Sequence, residues 1–183
     1  SKKKYELDKE TGFLMLDRIL YTSTHYPANY GFIPRTYGDD GDPLDVVVIC
    51  SEKIDPMTLV RCYPIGVITM KDSGKLDEKI ISIPFNDPNY NGYNDIDQLP
   101  AHVFDEIMHF FTVYKQLENK QTAVKELFGH REAERIIEQA IEDAGLGPID
   151  ITIDLLRSAA VERAAKKAVA ETLQLFPQYH DAS

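Results

Sequence analysis

Glycine or proline interrupts the first three-fifths of this sequence every few residues, and that punctuation limits the fold more than any other feature. Gly12, Pro27, Gly31, Pro34, Gly41, Pro43, Pro56, Pro64, Gly66, Gly74 and Pro84 recur between short apolar runs. Glycine supplies turn conformations and proline removes a ladder donor, so the pattern favours compact β structure with many turns. Runs rich in β-branched and aromatic residues place strands at Phe13 to Leu20, Leu44 to Cys50, Leu59 to Met70 with a break near Pro64, and Lys79 to Pro84. Ser73-Gly74 predicts a hairpin tip. Four or five strands of this length predict a small barrel.

From Pro100 the hydrophobic period changes. Val103, Ile107, Phe110, Phe111 and Tyr114 share one helical face, with Pro100 suited to the first turn, and the helix is expected to reach about Glu118. A second amphipathic stretch, Ala133, Ile136, Ile137, Ala140, Ile141 and Ala144, stops at the Gly145-Leu146-Gly147-Pro148 breaker. A third pattern carries Leu155, Leu156, Ala159, Ala160, Ala164, Ala168, Val169 and Leu173 opposite Arg157, Glu162, Arg163, Lys166, Lys167 and Glu171. It reads as a surface helix docked on its own protein, with a partner-binding helix as the weaker alternative. At 183 residues the chain is one domain, 1–144, with a C-terminal helical extension over 145–183.

Composition excludes several function classes. Thirty acidic against twenty basic residues give a formal charge of -10, a field that repels nucleic acid and anionic membranes. No apolar run approaches the roughly 18 residues of a membrane span. With only Cys50 and Cys62, spaced unlike a finger or redox pair, and no apolar leader, a reducing cytoplasm is the expected setting.

The chemistry concentrates in Asp39-Asp40-Gly41-Asp42-Pro43-Leu44-Asp45, four acids within seven positions that lead straight into the apolar run Val46 to Ile49. Carboxylates at this density repel one another unless cations sit among them; the bland alternative is a solvated turn. An EF-hand fails, because counting from Asp40 the sixth residue is Asp45 rather than glycine and the twelfth is Ser51 rather than glutamate. Asp72 and Asp77 bracket the hairpin tip and should lie near one another across it, with Lys79 on the face of Asp77. Lys4, Arg18, Tyr26, Tyr30, Tyr114 and Lys115 are groups of the kind that hold an anion, although Tyr114 also fits a core position by its period. Carboxylates for hard cations beside Lys, Arg and Tyr for phosphate oxygens are what metal-assisted phosphoryl chemistry requires, and oxygen ligands favour Mg2+ over zinc. GxxxxGK[ST], GxGxxG and GxSxG motifs are absent, and the five histidines show no paired ligand spacing.

These residues stand in a familiar order. Lys4-Tyr5-Glu6-Leu7-Asp8-Lys9, Leu16-Asp17-Arg18, Tyr26-Pro27-Ala28-Asn29-Tyr30-Gly31-Phe32-Ile33-Pro34 and Asp40-Gly41-Asp42-Pro43-Leu44-Asp45-Val46 are followed by Gly66, the Asp72 to Lys79 hairpin, Tyr93-Asn94-Asp95-Ile96 and His109 to Glu118. Over roughly residues 3 to 144 the sequence resembles the soluble family I inorganic pyrophosphatases. The resemblance implies a mainly β fold with flanking α: a five-stranded OB-like barrel with two to three helices packed against it. It also implies hydrolysis of pyrophosphate to two phosphates with several Mg2+ ions, the substrate arriving as magnesium pyrophosphate, and a homo-oligomer. By position, Asp40, Asp45 and Asp77 resemble ligands of the metals that activate water, Asp72 a ligand of a substrate-associated metal, and Asp42 the general base. Lys4, Arg18, Lys79, Tyr30, Tyr114 and Lys115 resemble the phosphate-holding groups, with Glu6 and Tyr26 in support. Lys79 and Arg18 are expected to project into a wet cleft rather than support the core. The family normally carries a further strand, with a metal-associated glutamate, before the Lys-Tyr-Glu element. The expectation is therefore that the native polypeptide continues upstream of Ser1. The stretch 145–183 exceeds the family's usual ending.

Three rivals share parts of this pattern. An OB-fold module for single-stranded nucleic acid or sugar would use exposed tyrosines but wants a basic stripe that this acidic chain lacks. A metal-dependent phosphatase acting on organic phosphates would differ only in pocket size. A non-catalytic calcium-binding protein stands third.

Overall fold

The computed structural model describes residues 1–8, 10–72, 74–118 and 122–145. The helix expected over 155–173, and with it the C-terminal extension, lies outside the described residues.

Seven strands and two α-helices are formed among the described residues: β1 (Lys3–Leu7), β2 (Leu14–Ile19), β3 (Asn29–Phe32), β4 (Asp45–Val48), β5 (Cys62–Asp72), β6 (Lys75–Pro84), α1 (Ala101–Val113), β7 (Thr122–Gly129) and α2 (His130–Asp143). β1 and β2 make an antiparallel two-stranded sheet, while the other strands form a five-stranded sheet in the order β3-β4-β6-β5-β7. Only β4 and β6 run parallel. The four expected strands are all present, β5 with its irregularity between Pro64 and Gly66. β6 starts four residues earlier than expected, because the charged run Lys75 to Glu78 is paired to β5 despite its polarity. The tip forms at Gly74, whose φ of 88° a glycine adopts without strain.

Side-chain parity divides the five-stranded sheet into two buried faces. Val47, Ile68, Met70, Ile81 and Ile83 pack with Ile107, Phe110, Phe111 and Tyr114 around α1. Val46, Val48, Val67 and Ile80 pack with Ala133, Ile136, Ile137, Ala140 and Ile141 of α2. Coverage on both sides explains why Val46 to Ile49 reads as an unbroken apolar run rather than an alternating one.

α1 begins after Pro100, which occupies the cap rather than the first turn, and ends at Val113; a 3-10 turn, Gln116–Glu118, completes the stretch expected to be helical. α2 ends as expected, with Ala144 as its cap and Gly145 at φ 71°. At its start, Gly129 approaches Asp95 so closely that a Cβ would lie 2.7 Å from a carboxylate oxygen. Among the described residues no helix is long and apolar enough to cross a membrane.

Candidate active site

The polar end of the α1-side layer gathers four of the predicted residues, Tyr30, Asp45, Asp77 and Lys79, and strand register does the gathering. Asp45 is the Cα partner of Lys79 across the parallel β4–β6 pair, and Tyr30 is the partner of Val47 across β3–β4. Asp45 and Val47 share a parity, as do Asp77, Lys79 and Ile81, so Asp45, Tyr30, Lys79 and Asp77 all project from one face. The Lys79 ammonium pairs with the Asp45 carboxylate and lies 2.6 Å from Asp77. It also stands 5.8 Å from the ring centre of Tyr30 and 6.0 Å from that of Phe111. Lys79 is only 3% exposed, which corrects the expectation of a cation in a wet cleft: its carbon stem belongs to the core and its charge is held by two carboxylates. Asp72 is the register partner of Lys75 and Asp77 that of Met70. The two positions are therefore diagonal neighbours in the ladder rather than directly opposite.

The acidic turn is built rather than merely solvated. Gly38 N donates to Asp42 O at 2.8 Å, Gly41 N to Gly38 O at 3.0 Å, and Asp42 N to Asp40 Oδ1 at 3.0 Å. Leu44 N donates to Thr36 Oγ1 at 2.9 Å, and Tyr37 N reaches Ala140 O at 2.9 Å, fastening the turn to the end of α2. The turn and the β5–β6 hairpin together line a cleft that includes Asp39, Asp40, Asp45, Asp77 and Glu78. Asp39 and Glu78 were not among the residues assigned from sequence. Glu78 carries no motif of its own, and only its place beside Asp77 on the hairpin could have drawn attention to it.

Electrostatics follow from burial and proximity. Burial pushes the Asp77 carboxyl up and the charge of Asp45 adds to this, outweighing the opposing pull of Lys79. Glu78 is likewise raised, by burial and then by Asp39. Burial works against the Lys79 ammonium, but Asp45 and Asp77 outweigh it and hold the proton more firmly than usual. Burial raises the phenol of Tyr30 well above its ordinary value, with Asp45 reinforcing it, and burial raises Tyr26 in the same direction. Both phenols are therefore held as hydrogen-bond donors.

The remaining predicted cations stand on other elements. Tyr26 packs on Tyr30 at 5.1 Å and on Phe110 at 4.8 Å, and it lies within the fields of Tyr114, Arg18, Asp45 and Asp17, which joins the β1–β2 sheet to the site. Lys4 pairs with Glu6 and lies 3.3 Å from Asp17; Arg18 pairs with Asp17 and donates from Nε to Glu118 at 3.1 Å. Tyr114 is 5% exposed and belongs to the core, as its period allowed, and Lys115, itself buried, places its ammonium 5.2 Å from the Tyr114 ring centre. Lys115 also acts on Asp77.

The donor set suits a hard divalent cation. Asp40, Asp45 and Asp77 offer only oxygen, and two of them already converge on one cationic group. Among the described residues no three His, Cys, Asp or Glu side chains are close enough together to hold an ion by themselves. Lys79 instead occupies the space between Asp45 and Asp77.

A family model described as inorganic pyrophosphatase matches residues 1–145. The chain belongs to the inorganic pyrophosphatase family. Relatives include soluble inorganic pyrophosphatase 2 of Chlamydomonas reinhardtii, 48% identical over 141 residues that make up 77% of this chain and 73% of that one. Soluble inorganic pyrophosphatase 1 of Arabidopsis thaliana is 46% identical over 142 residues, 78% of this chain and 67% of the relative. The solved inorganic pyrophosphatase of Helicobacter pylori superimposes with a TM-score of 0.77 at 44% identity, covering 79% of this chain and 87% of that structure. This likeness supports the mainly β, OB-like pyrophosphatase fold read from the sequence, although among the described residues the hydrogen-bonded ladder runs open from β3 to β7.

Proposed function

We propose that this chain hydrolyses inorganic pyrophosphate to two phosphates by direct attack of water at the Asp45–Lys79–Asp77 face, with no covalent intermediate. The family establishes a diphosphatase and a divalent metal cofactor. The finer reading is supported by one observation above all: acids from the turn, β4 and β6 line one cleft, and two of them, Asp45 and Asp77, hold the buried Lys79 ammonium.

Asp40, Asp45, Asp77 and, by its register position, Asp72 would hold Mg2+, several ions per site, supplying Lewis acidity that makes water a nucleophile near neutral pH. Asp42, presented by the turn, accepts the proton of the attacking water. Lys79, Lys115, Arg18 and Lys4 neutralise phosphate oxygens as charge moves onto the leaving phosphate. Tyr26, Tyr30 and Tyr114 donate hydrogen bonds, since raised phenols such as those of Tyr26 and Tyr30 do not ionise in the working pH range. Glu6 keeps Lys4 oriented. Substrate arrival as magnesium pyrophosphate reconciles an anionic ligand with a chain of formal charge -10. Assembly as a homo-oligomer in the cytoplasm belongs to the same reading, supported by likeness to the family.

Turnover of pyrophosphate, nucleotides and sugar phosphates with Mg2+ and with Ca2+ tests this. Pyrophosphate with Mg2+ should be the preferred combination, and Ca2+ should bind yet support little turnover, because its looser shell leaves water less acidic. Equal rates with both ions, or preference for an organic phosphate, would refute the proposal.

A further inference from the structure

We propose that Glu118 is a positioning residue that aims the Arg18 guanidinium at the phosphate site and locks it in register with Lys115. The inference rests on the pyrophosphatase reading above and adds a residue to which that reading gives no role.

Glu118 ends the 3-10 turn that directly follows Tyr114 and Lys115. Its backbone N–H donates to the carbonyl of Lys115 at 2.9 Å, so its position is tied to that lysine. Its side chain is 7% exposed, and a carboxylate is not buried to that extent unless a cation or donors hold it. Arg18 supplies the cation: its Nε donates to Glu118 Oε1 at 3.1 Å, across 100 positions of sequence. Asp17 takes Nη1 of the same guanidinium. Burial works against the Arg18 charge, and Glu118 first and Asp17 second outweigh it.

A guanidinium gripped at Nε by one carboxylate and at Nη1 by another has its plane fixed. A single buried acid thus sets the aim of one phosphate-binding cation and its spacing from another on a different element. An exposed ion pair would be worth little for this purpose, but a buried one directed through the planar Nε–H fork fixes direction as well as charge.

The test is a double-mutant cycle of Glu118→Ala and Arg18→Ala, read as the KM for magnesium pyrophosphate and as the Kd for pyrophosphate measured calorimetrically with Ca2+. Glu118→Ala should raise KM and Kd about tenfold while kcat changes less, the loss of one charge-assisted contact transmitted through Arg18. In the Arg18→Ala background the same substitution should add almost nothing, because the group it positions is gone. Unchanged KM and Kd in Glu118→Ala with only a lower Tm would overturn the proposal, as would equal effects in both backgrounds. If Glu118→Ala does not fold, the cycle is run with Glu118→Gln, which keeps the shape; about threefold in KM, again absent without Arg18, is then expected. A wild-type chain that binds pyrophosphate without hydrolysing it sinks the functional reading but leaves the cycle readable in Kd. One that fails to bind it overturns both.

Discussion

Replacing Lys79 by methionine removes a charge while keeping the length of apolar stem that packs near Tyr30 and Phe111. The Asp45 and Asp77 carboxylates then face each other without their shared cation, Asp77 with 11% of its side chain exposed and Asp45 with 29%. Removing one partner of a fully buried ion pair costs about 3–5 kcal/mol. Here Asp45 still reaches water, and Asp77, already raised by burial and by Asp45, can take up a proton instead of remaining charged. Those two escapes reduce the expected cost to about 2–3 kcal/mol at pH 7 without metal, or roughly 4–12 °C in Tm for a domain of this size. The pH dependence has a definite sign. A carboxyl raised in the fold contributes stability that is fully present below its ordinary value and is lost as pH rises through its folded value, and without Lys79 the Asp77 carboxyl rises further. The gap in Tm between Lys79→Met and wild type should therefore narrow as pH falls from 7 toward 4. Added Mg2+ should also narrow it by restoring positive charge between the two acids. Thermal unfolding followed by circular dichroism, with chelator and then with Mg2+, measures all three effects. A variant within about 1 °C of wild type at pH 7, or a gap that widens on acidification, would show that Lys79 is a solvated cation and refute the argument.

Asp42→Asn should lower turnover about a hundredfold or more while leaving Mg2+ affinity largely in place, whereas Asp45→Asn should weaken Mg2+ binding; equal losses of affinity by calorimetry would dissolve the distinction between base and ligand. Away from the site, burial pushes the Asp95 carboxyl up, but His130 and the backbone N–H groups of Ile96 and His130 outweigh it and hold it low. Its stabilising charge is present above the ordinary value of 3.8 and disappears as pH falls through the lower folded value, so Asp95→Asn should melt below wild type at pH 7 and converge with it in strong acid. A difference in Tm that stays constant across that range would contradict the assignment.

Of the strands legible in the sequence, β4, β5 and β6 carry β-branched inner residues buried on both faces, such as Val46 to Val48 and Ile80 to Ile83, whereas β2 is apolar but mostly exposed. Sequence reading missed β1, β3 and β7, where tyrosine, lysine, glutamate or glycine break the pattern and pairing to a neighbour supplies the order instead. α1 ends at Val113, short of the expected Glu118: Tyr114 continues the apolar period, but the backbone tightens to a 3-10 turn two residues on. Of the candidate residues, Asp40, Asp45 and Asp77 were legible as oxygen donors that reach one cleft, and Tyr114 was recognised as equally suited to the core.

The sequence by itself determined the chemical inventory of this protein: a cluster of carboxylates, basic and phenolic side chains, and the turn residues that present the acids. These follow from residue type and local spacing, which act over a few positions of chain. Only the tertiary structure decided that Lys79 is buried between Asp45 and Asp77 and that Glu118 holds Arg18. The first pairing spans 34 positions and the second 100. The parallel placement of β4 beside β6 creates the first, and the second ties β2 to the turn that follows α1. Burial depends on what packs above a residue, and strand neighbours depend on how the chain crosses over; no local run of amino acids encodes either.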